Sequence, residues 1–465
     1  MVLSMWFVFA FAAIVYGAGY SRQCCYGLLL LLVFMLSIAR SSFRLLSDWI
    51  HHFGEMRYSK DFELKKPHVR KKWDVGDPKN LYPIVLVHGV FGWGTEQMLA
   101  PSYWAGAESL DAQARILSPS IGPVSSAHDR AVELFYKLKG GKVDYGDDHS
   151  KECGHARFGE ECEGLHSTWS EEHPVHFIGH SYGGNTILML HHLLAEKFFP
   201  GHDTNPAWIK SVTTIASPVN GIPFFSSRFW GFSHHGFKRL SVLGLLGTRL
   251  LHLIAFLDLT GPKAFIDLRF DHWGLSWRQR GVLGGLQSLL RHDWAAFDSG
   301  DFCMDVNVVS TQRLMRAVAI SPHVYYYSFT QKLTVDFLGF VLPSPRMMPA
   351  LVVHCGLSIL FGFPASLGGP DEHDHATLRE WLHSDGVVPI RGQRCPEGHP
   401  FVESASLPDS DTPKGIWIVD EIESDHLGIA GLPWDLGQHH KFYGDLYQNC
   451  KALSPSPSSQ HLRNK

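Results

Sequence analysis

The stretch "VHFIGHSYGGNTILML", residues 175–190, constrains this chain more than any other. A β-rich apolar run ends at Gly179, the pentapeptide Gly179-His180-Ser181-Tyr182-Gly183 follows, and a helical run extends from Thr186 through Leu194. A strand that turns at once into a helix must pass through a strained, exposed corner. Glycines on both sides let neighbouring backbone approach where a β-carbon would collide. A bare G-x-S-x-G is a frequent accident; the flanking strand and helix are what mark Ser181 as a nucleophile.

A serine hydroxyl needs a base to take its proton, and the base needs a carboxylate to hold its tautomer. With 29 histidines in the chain, position has to decide. α/β-Hydrolases run in the order Ser, acid, His, with acid and base on loops after later strands. "HSDGVVP" offers Asp385 as the acid, and "ESDHLGIAG", just after the strand-like "GIWIVDEI", offers His426 as the base. Asp371, Asp374 and Asp425 remain rivals for the acid. The oxyanion hole requires backbone N–H groups from the residue after the serine and from a loop after an early strand. Tyr182 and, in "VLVHGVFGWG", Val90 fill those places, while His88 reads as a loop organiser.

Short apolar runs such as "PIVLVHG", "PVHFIGH", "IKSVTTIAS" and "HVYYYSF" alternate with helix-length segments. Such runs suit strands buried on both faces, so the expected fold is α/β with a mostly parallel central sheet and helices on both sides. The main domain is expected over residues 81–450, after a linker at 45–80 and before a disordered tail at 451–465. Phe224 to Thr260 is too long and too apolar for an ordinary connection. It reads either as an extra buried helix pair or as a mobile cap, placed at about 222–275, over an apolar cleft. The formal net charge of −4 offers no field that would draw nucleic acid, so no nucleic-acid partner is expected.

Residues 1–44 form a hydrophobic leader. Met1–Ser21 and Gln23–Ala39 carry no charge, which suits an uncleaved anchor or hairpin as well as a signal peptide. The expectation is membrane association within the endomembrane or secretory pathway, with secretion if the leader is cleaved. "KKPHVRKK" at 65–72 favours a cytosolic domain by the positive-inside rule. Cys153, Cys162, Cys303, Cys355, Cys395 and Cys450 are even in number, which leans weakly toward disulfides, although scattered reduced thiols fit the low density better.

From Tyr82 to Tyr447 the sequence resembles the thermoalkalophilic lipases of Geobacillus-type bacteria and, more distantly, staphylococcal lipases. The motifs "PIVLVHGVFGWG", "DRAVEL", "GGKVDYGDDHSKECGHARFG", "HSYGGNT", "SVTTIASPVNGIP", "FDHWGL", "SPHVYYYSF", "DGVV" and "DHLGIAG" occur in the family's order. The resemblance implies hydrolysis of long-chain acyl esters, triacylglycerol by default, at a membrane or lipid–water interface by a Ser-Asp-His triad. Its motifs fall on Ser181, Asp385 and His426. It also implies a structural zinc whose ligands here would be Asp129, His149, His155 and Asp271, with the zinc-binding insertion at about 127–160. Two imidazoles and two carboxylates suit tetrahedral Zn²⁺, and four protein ligands leave no open position for a reactive water. The ion would then tie the base of the cap to the His149–His155 loop.

Two departures matter. The family has Gln where this chain has Tyr182, and its calcium ligands are replaced by Gly428 and Leu432-Pro433, so calcium is not expected. Phospholipase or acyltransferase chemistry on the same triad and a non-catalytic, membrane-anchored binding role are the alternatives.

Overall fold

The computed structural model describes residues 82–96, 102–112, 114–226, 232–233, 236–237, 256, 267–291, 306–361, 375–404, 413–430 and 436–453. The leader, residues 454–465 of the expected tail and most of the expected cap lie outside these residues; residues 451–453, expected in the tail, instead continue the last helix, Leu436–Leu453. No helix among the described residues is long and apolar enough to cross a membrane.

Seven strands form the central sheet. They are β1 (Ile84–Val87), β2 (Ile116–Leu117), β3 (Val175–His180), β4 (Ile209–Ile215), β5 (Tyr325–Gln331), β6 (Phe401–Glu403) and β7 (Trp417–Ile422). Their order across the sheet is β6-β7-β5-β4-β3-β1-β2, and every adjacent pair is parallel. This is the α/β-hydrolase fold, with helices covering both faces.

The strands are apolar throughout because both faces are buried. Side chains alternate along a strand, so Val85 and Val87 enter one cluster with Phe177, Val212, Phe135 and Leu190, while Ile84 and Leu86 enter another with Ile178, Ile215, Tyr443 and Tyr447. The first layer is supplied by helices α1 (Ala127–Lys139) and α2 (Tyr182–Ala195), the second by α4 (Leu436–Leu453). A fourth long helix, α3 (Trp277–Arg291), follows the "FDHWGL" segment and breaks at Gly281, whose φ is 69°.

Strand β3 runs straight into α2. A β-carbon at Gly183 would lie 2.0 Å from the Val87 carbonyl oxygen, and one at Gly184 would lie 2.2 Å from Ser217 Oγ. Those contacts are far inside van der Waals distance, so only glycine lets α2 sit this close to the sheet.

Candidate active site

Ser181 stands at the corner between β3 and α2 with φ 55° and ψ −130°, outside the regions an L-residue normally occupies. The strain is held in place by the Ser181 N–H, which donates to Ile215 O at 2.8 Å, and by Gly184 N–H, which donates to Ser181 O at 3.1 Å. The backbone of Ser181 is thereby fixed to β4.

Two distant loops reach that corner. His426 Nε2 lies 2.9 Å from Ser181 Oγ, and His426 Nδ1 lies 2.7 Å from Asp385 Oδ2. The other carboxylate oxygen of Asp385 accepts the N–H groups of Val387 and Val388, each at 2.8 Å. Asp385 is fully buried and its only orientation is set by these contacts. Of the rival acids, Asp425 turns away and accepts N–H groups from Met348 at 3.0 Å and Gly428 at 2.8 Å. Asp371 and Asp374 lie outside the described residues.

The loop after β1 runs against the nucleophile. A β-carbon at Gly89 would meet Ser181 Cβ at 2.8 Å and His180 O at 3.2 Å, so the backbone just before Val90 lies against the serine. His88 organises this loop. Ile121 N–H donates to its Nε2 at 3.3 Å, so its Nδ1 donates to Gly89 O at 2.9 Å. Burial, then the nearby Arg130, hold the His88 imidazole well below its ordinary range, so it is neutral. The buried Arg130 guanidinium donates to His88 O, to Gly122 O at 2.7 Å and to Thr186 Oγ1 at 2.9 Å.

Tyr182 is buried, with Arg130 over its ring at 5.2 Å. Its ring joins Val124, Leu268, Phe270, Trp273 and Trp277 in one cluster. The aromatic residue after the nucleophile therefore packs the elbow directly against the 268–277 segment.

A second group of polar side chains surrounds Asp129, in the first turn of α1, which Ser126 caps. Asp129 is wholly buried. His149 Nε2 lies 2.9 Å from its Oδ1, and His272 Nε2 and His155 Nε2 lie 2.7 and 3.4 Å from its Oδ2. His128 Nδ1 is also 3.3 Å from Oδ1. Burial alone would raise the Asp129 pKa, but the hydrogen bonds from His128, His149 and His272 outweigh it and hold the carboxyl well below its ordinary range.

Of the four expected ligands, Asp129, His149 and His155 lie together, and His272 stands beside them. Asp271 is exposed, and from "FDHW" it is the His272 imidazole that faces Asp129. Both residues sit in a turn in which His272 N–H donates to Arg269 O at 2.9 Å and Leu275 N–H to Phe270 O at 2.8 Å. The sequence held a signal, a second metal-binding side chain beside Asp271, but not the way each side chain leaves the turn. Cys153 Sγ lies 3.8 Å from His149 Nδ1, and Cys153 and Cys162 are not joined to each other.

A buried carboxylate ringed by imidazoles requires positive charge, from imidazolium or from a cation. One carboxylate with three imidazoles, Asp129, His149, His155 and His272, is a donor set that suits Zn²⁺. The same segment is also tied down without any ion. Arg269 lies 3.0 Å from Glu133 and 2.9 Å from Glu160.

A strained elbow serine, a histidine and a buried aspartate in one hydrogen-bonded line on this fold define a serine-hydrolase type of site. The sequence model of the family described as "Lipase-like, C-terminal domain" matches residues 80–448, and the chain belongs to that family. Among curated relatives it is 30% identical over 308 residues to the lipase of Staphylococcus hyicus, covering 60% of this chain and 45% of the relative. It is 27% identical over 387 residues to lipase 2 of Staphylococcus aureus, covering 76% of this chain and 51% of the relative. The chain therefore spans about half the length of these relatives. The solved structure of Staphylococcus hyicus lipase matches with TM-score 0.64 and 25% identity over 82% of this chain and 98% of that one. EstA from Clostridium botulinum matches with TM-score 0.60 and 27% identity over 80% of this chain and 88% of that one.

Proposed function

We propose that this protein is a carboxylic ester hydrolase acting on long-chain acyl esters, triacylglycerol-type lipids foremost. The observation that carries this reading is the unbroken line from Ser181 Oγ through His426 to Asp385 at 2.9 and 2.7 Å. His426 takes the Ser181 proton as Oγ attacks the ester carbonyl, and Asp385 stabilises the imidazolium that forms. The N–H groups of Val90 and Tyr182 would stabilise the oxyanion. The protonated His426 then releases the alcohol, and water repeats the sequence to free the fatty acid.

Lipid–water interfaces are the proposed working surface. Helix α3 exposes Leu283 at 84%, Leu286 at 44% and Leu290 at 79%, three residues spaced along one face. Its sequence, "WRQRGVLGGLQSLLR", carries three arginines and no acidic residue, the pattern of a helix that lies on anionic lipid. Asp129, His149, His155 and His272 would hold a structural zinc, and a bound zinc would supply a cross-link between α1, the 147–155 loop and the turn before α3. The decisive test is turnover of p-nitrophenyl acyl esters by the full chain and by Ser181→Ala. Loss of turnover in a folded variant supports the reading, and retained turnover overturns it.

A further inference from the structure

Tyr103 and His180 take no part in the chemistry described above, yet both are placed against it. His180 Nε2 is 2.9 Å from the backbone oxygen of His426, His180 Nδ1 is 2.7 Å from Tyr103 Oη, and Gly89 N–H donates to the same Oη at 2.9 Å. The direction of every bond in this chain follows from what each atom is able to do. A carbonyl oxygen only accepts, so Nε2 of His180 carries the proton and donates to His426 O. The neutral ring then leaves Nδ1 as an acceptor, which only the Tyr103 O–H can satisfy, and the remaining lone pair of Oη accepts Gly89 N–H.

The protonation states this requires are the ones the surroundings enforce. Burial first, and then the neighbouring His426, keep the His180 imidazole well below its ordinary range, so it is neutral. Burial pushes the Tyr103 phenol up to about 12, so it keeps its proton. Packing leaves little slack. His180 is 1% exposed, and the rings of Tyr103, Trp104 and His426 lie around it at centroid distances of 5.9, 6.4 and 4.9 Å.

We infer that Tyr103 and His180 are positioning residues forming one bridge that sets the oxyanion loop, the nucleophile elbow and the His426 loop at fixed spacing. The three parts come from the end of β1, the end of β3 and the loop after β7, and no other contact named above joins all three. Gly89 precedes the proposed donor Val90, His180 precedes Ser181, and the accepting carbonyl belongs to His426 itself. A shift of about 1 Å at any of them would misalign attack, proton transfer and oxyanion stabilisation together.

The inference rests on the serine-hydrolase reading, and the experiment separates the two. Full-length wild type, Ser181→Ala, Tyr103→Phe, His180→Leu and the Tyr103→Phe/His180→Leu double variant are compared on a soluble p-nitrophenyl ester, with thermal melting of each. Ser181→Ala alone decides the underlying reading. For the bridge, Tyr103→Phe and His180→Leu are each expected to lower kcat roughly 10- to 100-fold with KM within about twofold. The double variant is expected to be no slower than the slower single, because both break the same link. His180→Gln, whose amide both donates and accepts, should recover part of the loss and covers the case in which the leucine variant does not fold. Multiplicative losses in the double variant, kcat within twofold of wild type for Tyr103→Phe, or a change confined to KM would each overturn the bridge while leaving the triad intact.

Discussion

The backbone N–H of His426 donates to the backbone oxygen of Asp385 at 2.9 Å, and the ring of the same histidine lies 2.7 Å from the Asp385 carboxylate. This double tie fixes the base to its acid by main chain and side chain at once. It predicts an unusually clean outcome for Asp385→Asn. The carboxylate oxygen that accepts Val387 and Val388 N–H must stay an oxygen, so the new amide nitrogen is forced to face His426 Nδ1. An amide nitrogen donates, which drives the imidazole into the tautomer that carries its proton on Nε2 and removes its ability to accept from Ser181. Turnover should fall by roughly 10⁴-fold with the fold retained, measured as kcat alongside thermal melting. A loss of less than tenfold would show that Asp385 does not hold the base.

The Asp129 cluster predicts which neighbour of the "FDHW" turn matters. His272→Ala should release the ion and Asp271→Ala should keep it, checked by metal content after gel filtration of the two variants. Retention by His272→Ala with loss from Asp271→Ala would restore the ligand expected from sequence. Chelation of the wild type should lower its melting temperature without unfolding it, because Arg269 still pairs with Glu133 and Glu160. Activity on a soluble ester at low temperature should survive chelation, since none of these residues touches Ser181.

The exposed leucines of α3 predict a split between soluble and aggregated substrates. Leu283→Asp with Leu290→Asp should reduce hydrolysis of an emulsified long-chain ester or binding to anionic vesicles by about tenfold or more. Burying each leucine in lipid is worth about 1.5–3 kcal/mol, and a charge there costs more. Turnover of a short soluble ester should be unchanged. Equal loss on both substrates would mean the leucines serve the fold rather than an interface.

What was readable in the sequence divides along physical lines. The elbow is local: strand, Gly179, Ser181, Gly183 and helix lie within one short stretch, and each glycine is required by a contact the fold makes. Chain order pointed to Asp385 and His426, and both lie in line with Ser181 because parallel strands deliver their loops to one edge of the sheet. That His272 lies 2.7 Å from Asp129 was not readable, because no periodicity reports which way a side chain leaves a turn. Tyr103 was missed for a different reason. It belongs to a segment without regular structure, and its importance comes only from His180 and Gly89, which are 77 and 14 residues away.

Buried neutral histidines predict how the protein responds to acid. His176, His191 and His439 are almost inaccessible, and burial lowers their pKa values to about 3, 4 and 4 from an ordinary value near 6.5. His166 falls to about 4 through burial and the adjacent Arg115. In the unfolded chain each would take up a proton as the pH drops below about 6.5, whereas in the folded protein each stays neutral until near its lowered value. The stability that depends on their neutrality is therefore complete above pH 6.5 and drains away as the pH falls toward 4. Each group contributes a slope of about 1.4 kcal/mol per pH unit within that window. Urea unfolding at pH 8, 7, 6 and 5 should give a plateau followed by a steep decline. His176→Gln should make the decline shallower, because its site is left with no proton to exclude. A free energy of unfolding that stays level from pH 7 to pH 5 would show that these imidazoles are already protonated in the folded protein, or reach water in it.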